Sequence, residues 1–362
     1  MAVPLFDPST PLEPLRGELD AAIARVLDSK HFILGPEVEA FEAELAAYVG
    51  AQHALGVANG TEALTIALRA LGVGPGDDVV VPSFTFYASA EAIPPTGARP
   101  VFCDVDPETF TVTADTVKAA MTRDTKAVIA VHLFGNVAPI AEIEALGVPV
   151  IEDAAQSLGS TSAGGRPGSL GTLATLSFYP SKNLGAFGDG GAVTTSDPEL
   201  ATRLRSLRDH GRALSDRYLH DHVGVNSRLD ALQAGILSVK LRHLDGWTQA
   251  RRAHAAAYRE QLPADVVTMV EETPATPSVH HLAVVRTERR QEAADGLALR
   301  GIDTGIHYPV PCHLQEPYAA YSRGPLPVAE SAASEILSLP MFPHLTPDQV
   351  SHVCESVAAV LR

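Results

Sequence analysis

One lysine stands where its side chain could do covalent chemistry. Lys182 lies between an apolar, strand-like run at residues 173–178 and a glycine-rich loop at 185–191. A backbone held between a strand and a tight loop keeps its amine in place, and such an amine can form a Schiff base with an aldehyde cofactor. The other four lysines have structural explanations in or beside predicted helices and strands: Lys30, Lys118, Lys126 and Lys240.

A carboxylate follows a second strand-like run. Asp153 comes directly after residues 148–152, and Gln156 follows three residues later. Beside a Schiff-base lysine, a carboxylate can keep a pyridine nitrogen protonated and make a pyridoxal ring an electron sink. Gln156 would share a face with Asp153 in a helical turn and could donate to the ring oxygen. The alternatives left open are a helix-capping role for Asp153 and a surface position for Gln156.

Further segments suit a phosphate and a planar ring. Gly60 and Thr61 lie at a predicted helix start, where backbone N–H groups bind anions, and Ser177 offers another hydroxyl. Phe86 follows an apolar run and could stack on a ring. The alternatives are a plain turn with a threonine cap and ordinary core packing of the aromatic ring.

The elements that must position these residues alternate along the chain. Between residues 54 and 210, short apolar runs alternate with helical patterns, which favours an α/β domain with a mainly parallel sheet. Such sheets bind ligands beyond the carboxyl ends of their strands, where the candidate residues lie. Seven strands are predicted at 54–57, 79–81, 99–102, 127–131, 148–152, 173–178 and 191–195. Helices between them are predicted at 61–71, 83–93, 114–121 and 140–145.

The last third of the chain has a different pattern of predicted helices and strands. Two long helices are predicted at 229–244 and 247–261, and prolines from Pro263 to Pro277 then break the pattern. A smaller α+β unit follows, with an extended run at 280–286 and helices predicted at 289–300, 328–337 and 347–361. We therefore predict a large domain over residues 1–245, including an N-terminal helical segment, and a small domain over 246–362.

Composition restricts the class of protein. The 362 residues, 46% hydrophobic and 19% charged, are typical of a soluble globular protein. A net charge of -16 argues against binding a nucleic-acid backbone. Cys103, Cys312 and Cys354 share no metal-ligand spacing, so we expect reduced thiols and no metal site. Neither an export signal nor a membrane-spanning run is visible, and we expect a cytoplasmic protein.

Taken together, the motifs resemble the DegT/DnrJ/EryC1/StrS family of sugar aminotransferases, a branch of the fold-type-I, aspartate-aminotransferase-like enzymes that use pyridoxal 5'-phosphate (PLP). The resemblance covers almost the whole chain, with several motifs in the family's order. They are FILGPEVEAFE from residue 32, NGTEAL from 59, PSFTF from 82, EDAAQS from 152, SFYPSKNLG from 177, GVNSRLD from 224 and IHYPVPCH from 306.

The resemblance implies a role for each of these positions. Lys182 would hold PLP as an internal aldimine and then move the proton, and Asp153 would face the pyridine nitrogen. The remaining cofactor contacts within the chain would come from Gly60, Thr61, Phe86, Gln156 and Ser177.

Residues further along the chain are implied to complete the site. Asn226 matches a residue that reaches across to the phosphate held by a partner subunit, which implies a homodimer with shared active sites. Four residues are weaker candidates for the sugar-nucleotide wall or the phosphate anchor: Arg228, His307, Tyr308 and His313. For these four, surface, packing or salt-bridge roles remain open.

The implied reaction moves an amino group from an amino acid, glutamate by resemblance, to a nucleotide-linked keto-sugar. The alternatives are a sugar dehydratase of the same family, in which a histidine replaces the lysine, and a PLP enzyme acting on free amino acids. A dehydrogenase is excluded because no Gly-x-Gly-x-x-Gly follows an early strand. The sugar, the aminated carbon (C3 or C4) and the nucleotide (dTDP or UDP) stay open.

Overall fold

The computed structural model describes residues 1–8, 12–213, 215–216 and 218–362. Seven strands form one sheet in the order β1-β7-β6-β5-β4-β2-β3, in which β7 is antiparallel to both neighbours and the other pairs are parallel. This confirms the predicted mainly parallel seven-stranded sheet. The strands are β1 His53–Val57, β2 Asp78–Pro82, β3 Arg99–Cys103, β4 Thr125–Val131, β5 Val150–Asp153, β6 Leu173–Ser177 and β7 Gly191–Thr195.

The sheet is covered by helices because its strands are apolar on both faces. Every residue of β2 and β7 is buried, as expected for strands inside a layered α/β domain. The helices up to residue 241 are α1 Arg16–Ser29, α2 Pro36–Val49, α3 Gly60–Ala70, α4 Ala88–Glu91, α5 Ala114–Ala120, α6 Ile140–Glu144, α7 Pro198–Arg208 and α8 Ala231–Leu241.

A second, three-stranded antiparallel sheet lies toward the C-terminus, in the order β10-β9-β8. Its strands and the remaining helices are α9 Leu244–Gln261, β8 Thr268–Met269, β9 Ala283–Arg286, α10 Arg290–Ala298, α11 Pro327–Glu335, β10 Ile336–Leu339 and α12 Pro347–Leu361. No helix in the described ranges is long and apolar enough to cross a bilayer.

Two predicted helices differ from the structure. Within 83–93 only Ala88–Glu91 is α-helical, because the Ser83 backbone instead bonds to distant segments: its N–H donates to the Cys103 carbonyl and its carbonyl accepts from the Cys312 N–H. The helix predicted over 328–337 ends at Glu335, because Ile336 begins a strand that pairs with Arg286. Local pattern could not reveal either long-range contact.

We propose that two units divide near residue 245, within α9. Leu244 packs in an apolar cluster with α2 and α8, whereas Ala255 and Tyr258 pack with β9, β10 and α12. The N-terminus of the chain packs with the second unit rather than with the large sheet. Val3 pairs with Ile302 and is buried in the second cluster.

Candidate active site

A cavity of about 790 Å³ lies at the carboxyl ends of β4, β5 and β6, where the second unit meets the large sheet. This is the expected place for a ligand in a parallel sheet. Nine of the predicted site residues line it: Gly60, Thr61, Phe86, Asp153, Gln156, Ser177, Lys182, His307 and Tyr308.

Lys182 is held by the tight turn that follows β6. Its N–H donates to the Tyr179 carbonyl at 2.8 Å, and a Cβ at Gly185 would overlap the Pro180 carbonyl, so the loop can close only with glycine there. Burial lowers the pKa of the Lys182 amine to about 8, and the nearby negative charge of Asp153 opposes that shift. A larger share of the amine is therefore neutral at physiological pH than in an ordinary lysine.

Asp153 ends β5 and is buried. Ser89 donates from its hydroxyl to Asp153 Oδ2 at 2.7 Å, and the hydroxyls of Thr85 and Ser89 lie 3.0 Å apart. The Ala155 N–H reaches Oδ1 at 3.3 Å, which is a weak version of the capping contact left open above. These contacts fix the carboxylate at the cavity. No local pattern indicated Ser89, because its role depends on a hydrogen bond that forms only when α4 lies beside the end of β5.

The predicted phosphate end is built from the start of α3 and the end of β6. Asn59 Oδ1 accepts from the Glu62 N–H at 2.8 Å and caps the helix. A Cβ at Gly60 would lie 2.8 Å from Ser177 Cβ, so the two segments touch. Thr61 and Ser177 then present hydroxyls beside the positive end of the helix, which suits an anion such as a phosphate.

Gln156 and Phe86 form the side walls with Tyr308. Gln156 is buried, so a surface position is excluded: its Oε1 accepts from the Phe134 N–H at 2.7 Å and its Nε2 donates to the Tyr308 hydroxyl at 3.1 Å. Phe86 is 52% exposed, which excludes ordinary core packing, and its ring lies 5.5 Å from that of Tyr308. Burial raises the pKa of Tyr308, so its hydroxyl stays protonated.

His307 contributes from the second unit. Its Nδ1 lies 2.8 Å from the Ser338 hydroxyl, and burial together with the charge of Lys182 lowers its pKa. A neutral imidazole at this place can donate or accept one hydrogen bond without adding charge.

Three predicted residues lie outside this cavity. Asn226 is exposed and pairs by backbone with Asp209, and Arg228 makes an ion pair with Asp209 at 2.9 Å. His313 is buried between the Ser83 hydroxyl at 2.5 Å and Glu330 at 3.2 Å, and lines a separate cavity of about 450 Å³. Within one chain, therefore, none of these three faces Lys182.

Sequence reasoning missed His281, which lines the cavity and is buried. Its Nδ1 lies 2.9 Å from Oδ1 of Asn183, the residue after Lys182. The two residues are 98 positions apart, and only folding of the second unit onto the sheet brings them together. A histidine in the Val-His-His-Leu run carried no local signal of this contact.

Comparison with known proteins adds to this geometry. The DegT/DnrJ/EryC1/StrS aminotransferase family matches residues 14–358. A dTDP-3-amino-3,4,6-trideoxy-alpha-D-glucose transaminase of Streptomyces venezuelae is 48% identical, over 98% of this chain and 95% of its own length. A UDP-N-acetyl-3-dehydro-alpha-D-glucosamine 3-aminotransferase of Acidithiobacillus ferrooxidans is 43% identical, over 100% of this chain and 98% of its own length.

A solved structure is similar to this chain in both fold and sequence. The crystal structure of S. venezuelae DesV in complex with a ketimine intermediate is 48% identical and covers 99% of this chain and 98% of its own, with a TM-score of 0.95. The fold, the sequence match and the lysine–carboxylate cavity lead to one assignment: this chain belongs to the DegT/DnrJ/EryC1/StrS aminotransferase family.

Proposed function

We propose that this chain transfers an amino group from an amino acid, L-glutamate, to a nucleotide-linked sugar with a keto group at C3, and that PLP is its cofactor. The observation that carries the proposal is the Lys182 amine with its lowered pKa, which shares one cavity with the Asp153 carboxylate and the helix start at Gly60. The choice of C3 is supported by relatives at 43% and 48% identity whose names place the amino group there.

The cavity residues fit PLP. The contact between Gly60 and Ser177 leaves two hydroxyls and a helix start for the phosphate, and Asp153 is the carboxylate that a pyridine nitrogen needs. Phe86 would stack on the ring, and Gln156 would lie beside its 3-oxygen. When bound, PLP supplies an aldehyde that condenses with amines and a ring that takes up an electron pair.

The chain's own residues would then bind, orient and move protons. Lys182 would hold the cofactor and, as a free neutral amine, take the proton from the α-carbon of the donor. Asp153, oriented by the hydrogen bond from Ser89, would place its carboxylate against the pyridine nitrogen. Since Lys182 is present, the proposal favours transamination over the dehydratase chemistry of family members that have a histidine there.

We propose a homodimer with shared active sites. In support, no arginine lines the cavity among the described residues, although a nucleotide-linked sugar carries negative charge. Leu219 and Val223, near Asn226, are exposed apolar side chains, as expected of a surface covered by another subunit. We also propose a cytoplasmic location, supported by three buried, unpaired cysteines.

The test uses the purified protein loaded with PLP. Glutamate should change the visible absorbance of the bound cofactor and release a keto acid. Offered nucleotide-linked 3-keto and 4-keto sugars, the protein should aminate the 3-keto compounds, with products identified by mass spectrometry and NMR. Deoxygenated sugar formed without keto acid, or amination restricted to 4-keto sugars, would contradict the proposal.

A further inference from the structure

His281 is held rigidly at the wall of the cavity. Its N–H donates to the Phe134 carbonyl at 2.9 Å, and its own carbonyl accepts from Arg251 Nη1 at 3.3 Å. The ring is fixed as well, because Nδ1 lies 2.9 Å from Asn183 Oδ1. The backbone of His281 is therefore anchored to two segments, and a turn of the imidazole would break its contact with Asn183.

The neighbours of the ring determine which nitrogen carries the proton. Asn183 Nδ2 lies 3.5 Å from the Val279 carbonyl, which can only accept, so Oδ1 faces His281. Nδ1 must then be the donor, and Nε2 keeps its lone pair. Burial lowers the pKa of His281 well below its usual value, and the positive charges of Lys182 and Arg251 lower it further, so the ring stays neutral.

Nε2 is an acceptor without a donor. Among the described residues no group donates to it, and the Lys182 amine makes no hydrogen bond to it although both line the cavity. His281 lines the cavity, so an acceptor there without a protein donor can take a donor from the ligand.

The two substrates of the proposed reaction differ in what they offer this atom. An amino acid offers N–H donors only on the amino group that is transferred, and its carboxylates only accept hydrogen bonds. A sugar carries O–H or N–H donors on most ring carbons. The carbon that receives the amino group must come to Lys182. Groups beside Lys182 are therefore the substituents of the neighbouring ring carbons.

We propose that His281 Nε2 accepts a hydrogen bond from an O–H or N–H group on a sugar carbon next to the keto carbon. This inference rests on the proposed function and narrows its substrate class. His281 Nε2 would favour keto-sugars that carry an O–H or N–H group on a carbon next to the keto carbon. Keto-sugars without such a group on that carbon would bind more weakly. His281 makes no corresponding contact with the amino-acid donor.

The test compares ligands and variants in the PLP-loaded protein. The probes are the C3-amino nucleotide-sugar product with hydroxyls at C2 and C4, its 2-deoxy analogue and its 4-deoxy analogue, with dissociation constants measured by calorimetry. The wild-type protein should bind one deoxy analogue roughly five- to tenfold more weakly than the parent, the usual effect of one lost hydrogen bond. His281→Phe, which removes the acceptor but keeps a planar ring, should bind that analogue and the parent equally.

Two further variants keep the result interpretable. His281→Gln retains an acceptor and should restore part of the discrimination, and His243→Phe, a histidine near the surface residue Glu18, should leave it unchanged.

Several outcomes would overturn the inference. Equal binding of all three ligands by the wild-type protein does so even if a variant fails to fold. Undiminished discrimination in His281→Phe does so as well. If the wild-type protein shows no glutamate half-reaction at all, the proposed function fails instead, and the two failures are thus distinguishable.

Discussion

At the scale of single residues, the carboxylate of Asp153 depends on a hydroxyl that the sequence did not indicate. Ser89→Ala removes the 2.7 Å hydrogen bond to Oδ2 and leaves a buried charge with one donor fewer. We expect the dissociation constant for PLP to rise roughly tenfold or more, because hydrogen bonds to charged groups contribute about 1.5–3 kcal/mol. Titration of the cofactor-free protein with PLP measures this.

The matched control is Ser331→Ala. Ser331 also donates to a carboxylate, that of Glu335, but on the exposed side of α11. PLP affinity should be unchanged in this variant. If Ser89→Ala binds PLP as the wild-type protein does, the orientation of Asp153 does not depend on Ser89.

The pKa of Lys182 predicts how cofactor uptake varies with pH. Only the neutral amine attacks an aldehyde, and its fraction rises as pH passes upward through the amine pKa. For Lys182, whose pKa burial lowers to about 8, the rate of PLP uptake by the cofactor-free protein should rise with a midpoint near pH 8. Stopped-flow absorbance measures this rate. A rate that keeps rising through pH 10, as for an exposed lysine, would contradict the burial argument.

At the scale of elements, the contact between the start of α3 and the end of β6 shapes the phosphate end. Gly60→Ala places a Cβ 2.8 Å from Ser177 Cβ, so one segment must move. We expect a loss of about 1–3 kcal/mol in the free energy of unfolding, together with weaker PLP binding. Chemical denaturation and PLP titration report the two effects separately.

A second glycine, Gly246, has open space where a Cβ would lie. Gly246 lies in α9, and an added Cβ there meets nothing within 4 Å. Gly246→Ala should stabilise the protein by about 0.5–1 kcal/mol, because alanine loses less backbone entropy in a helix. Equal effects of the two substitutions would show that crowding at Ser177 is not what constrains Gly60.

The elements also show what sequence can and cannot predict. The seven strands of the large sheet were predictable because most are short, near-continuous apolar runs. Lys182 and Asp153, predicted beyond the carboxyl ends of these strands, line one cavity. The start of the helix predicted at 83–93 was wrong, because the backbone N–H and carbonyl of Ser83 bond to Cys103 and Cys312 rather than within a helix. His281 was invisible for the same reason: its contact with Asn183 exists only after folding.

At the scale of the whole molecule, shared active sites predict complementation between defective chains. Lys182→Ala and Asn226→Ala homodimers should both be impaired, but a mixed dimer keeps one intact site if Asn226 serves its partner. Random mixing makes half of the dimers mixed, each with one of two sites intact, so coexpression should restore about a quarter of wild-type activity.

The control mixes Lys182→Ala with Asp153→Ala. Both residues line the cavity of a single chain, so neither site of that mixed dimer is intact and no activity should return. If the Lys182→Ala and Asn226→Ala mixture shows only the average of its two homodimers, the sites are not shared.

The central claim is that the Lys182 amine binds the cofactor covalently, and one measurement tests it directly. The chain has a second buried lysine whose pKa burial lowers to about 8, Lys240, but its amine bonds to the Gly185 carbonyl and does not line the cavity. After the PLP-loaded protein is reduced with borohydride and digested, mass spectrometry should find the cofactor only on the peptide that contains Lys182. Cofactor on the Lys240 peptide, or on no lysine, would contradict the account.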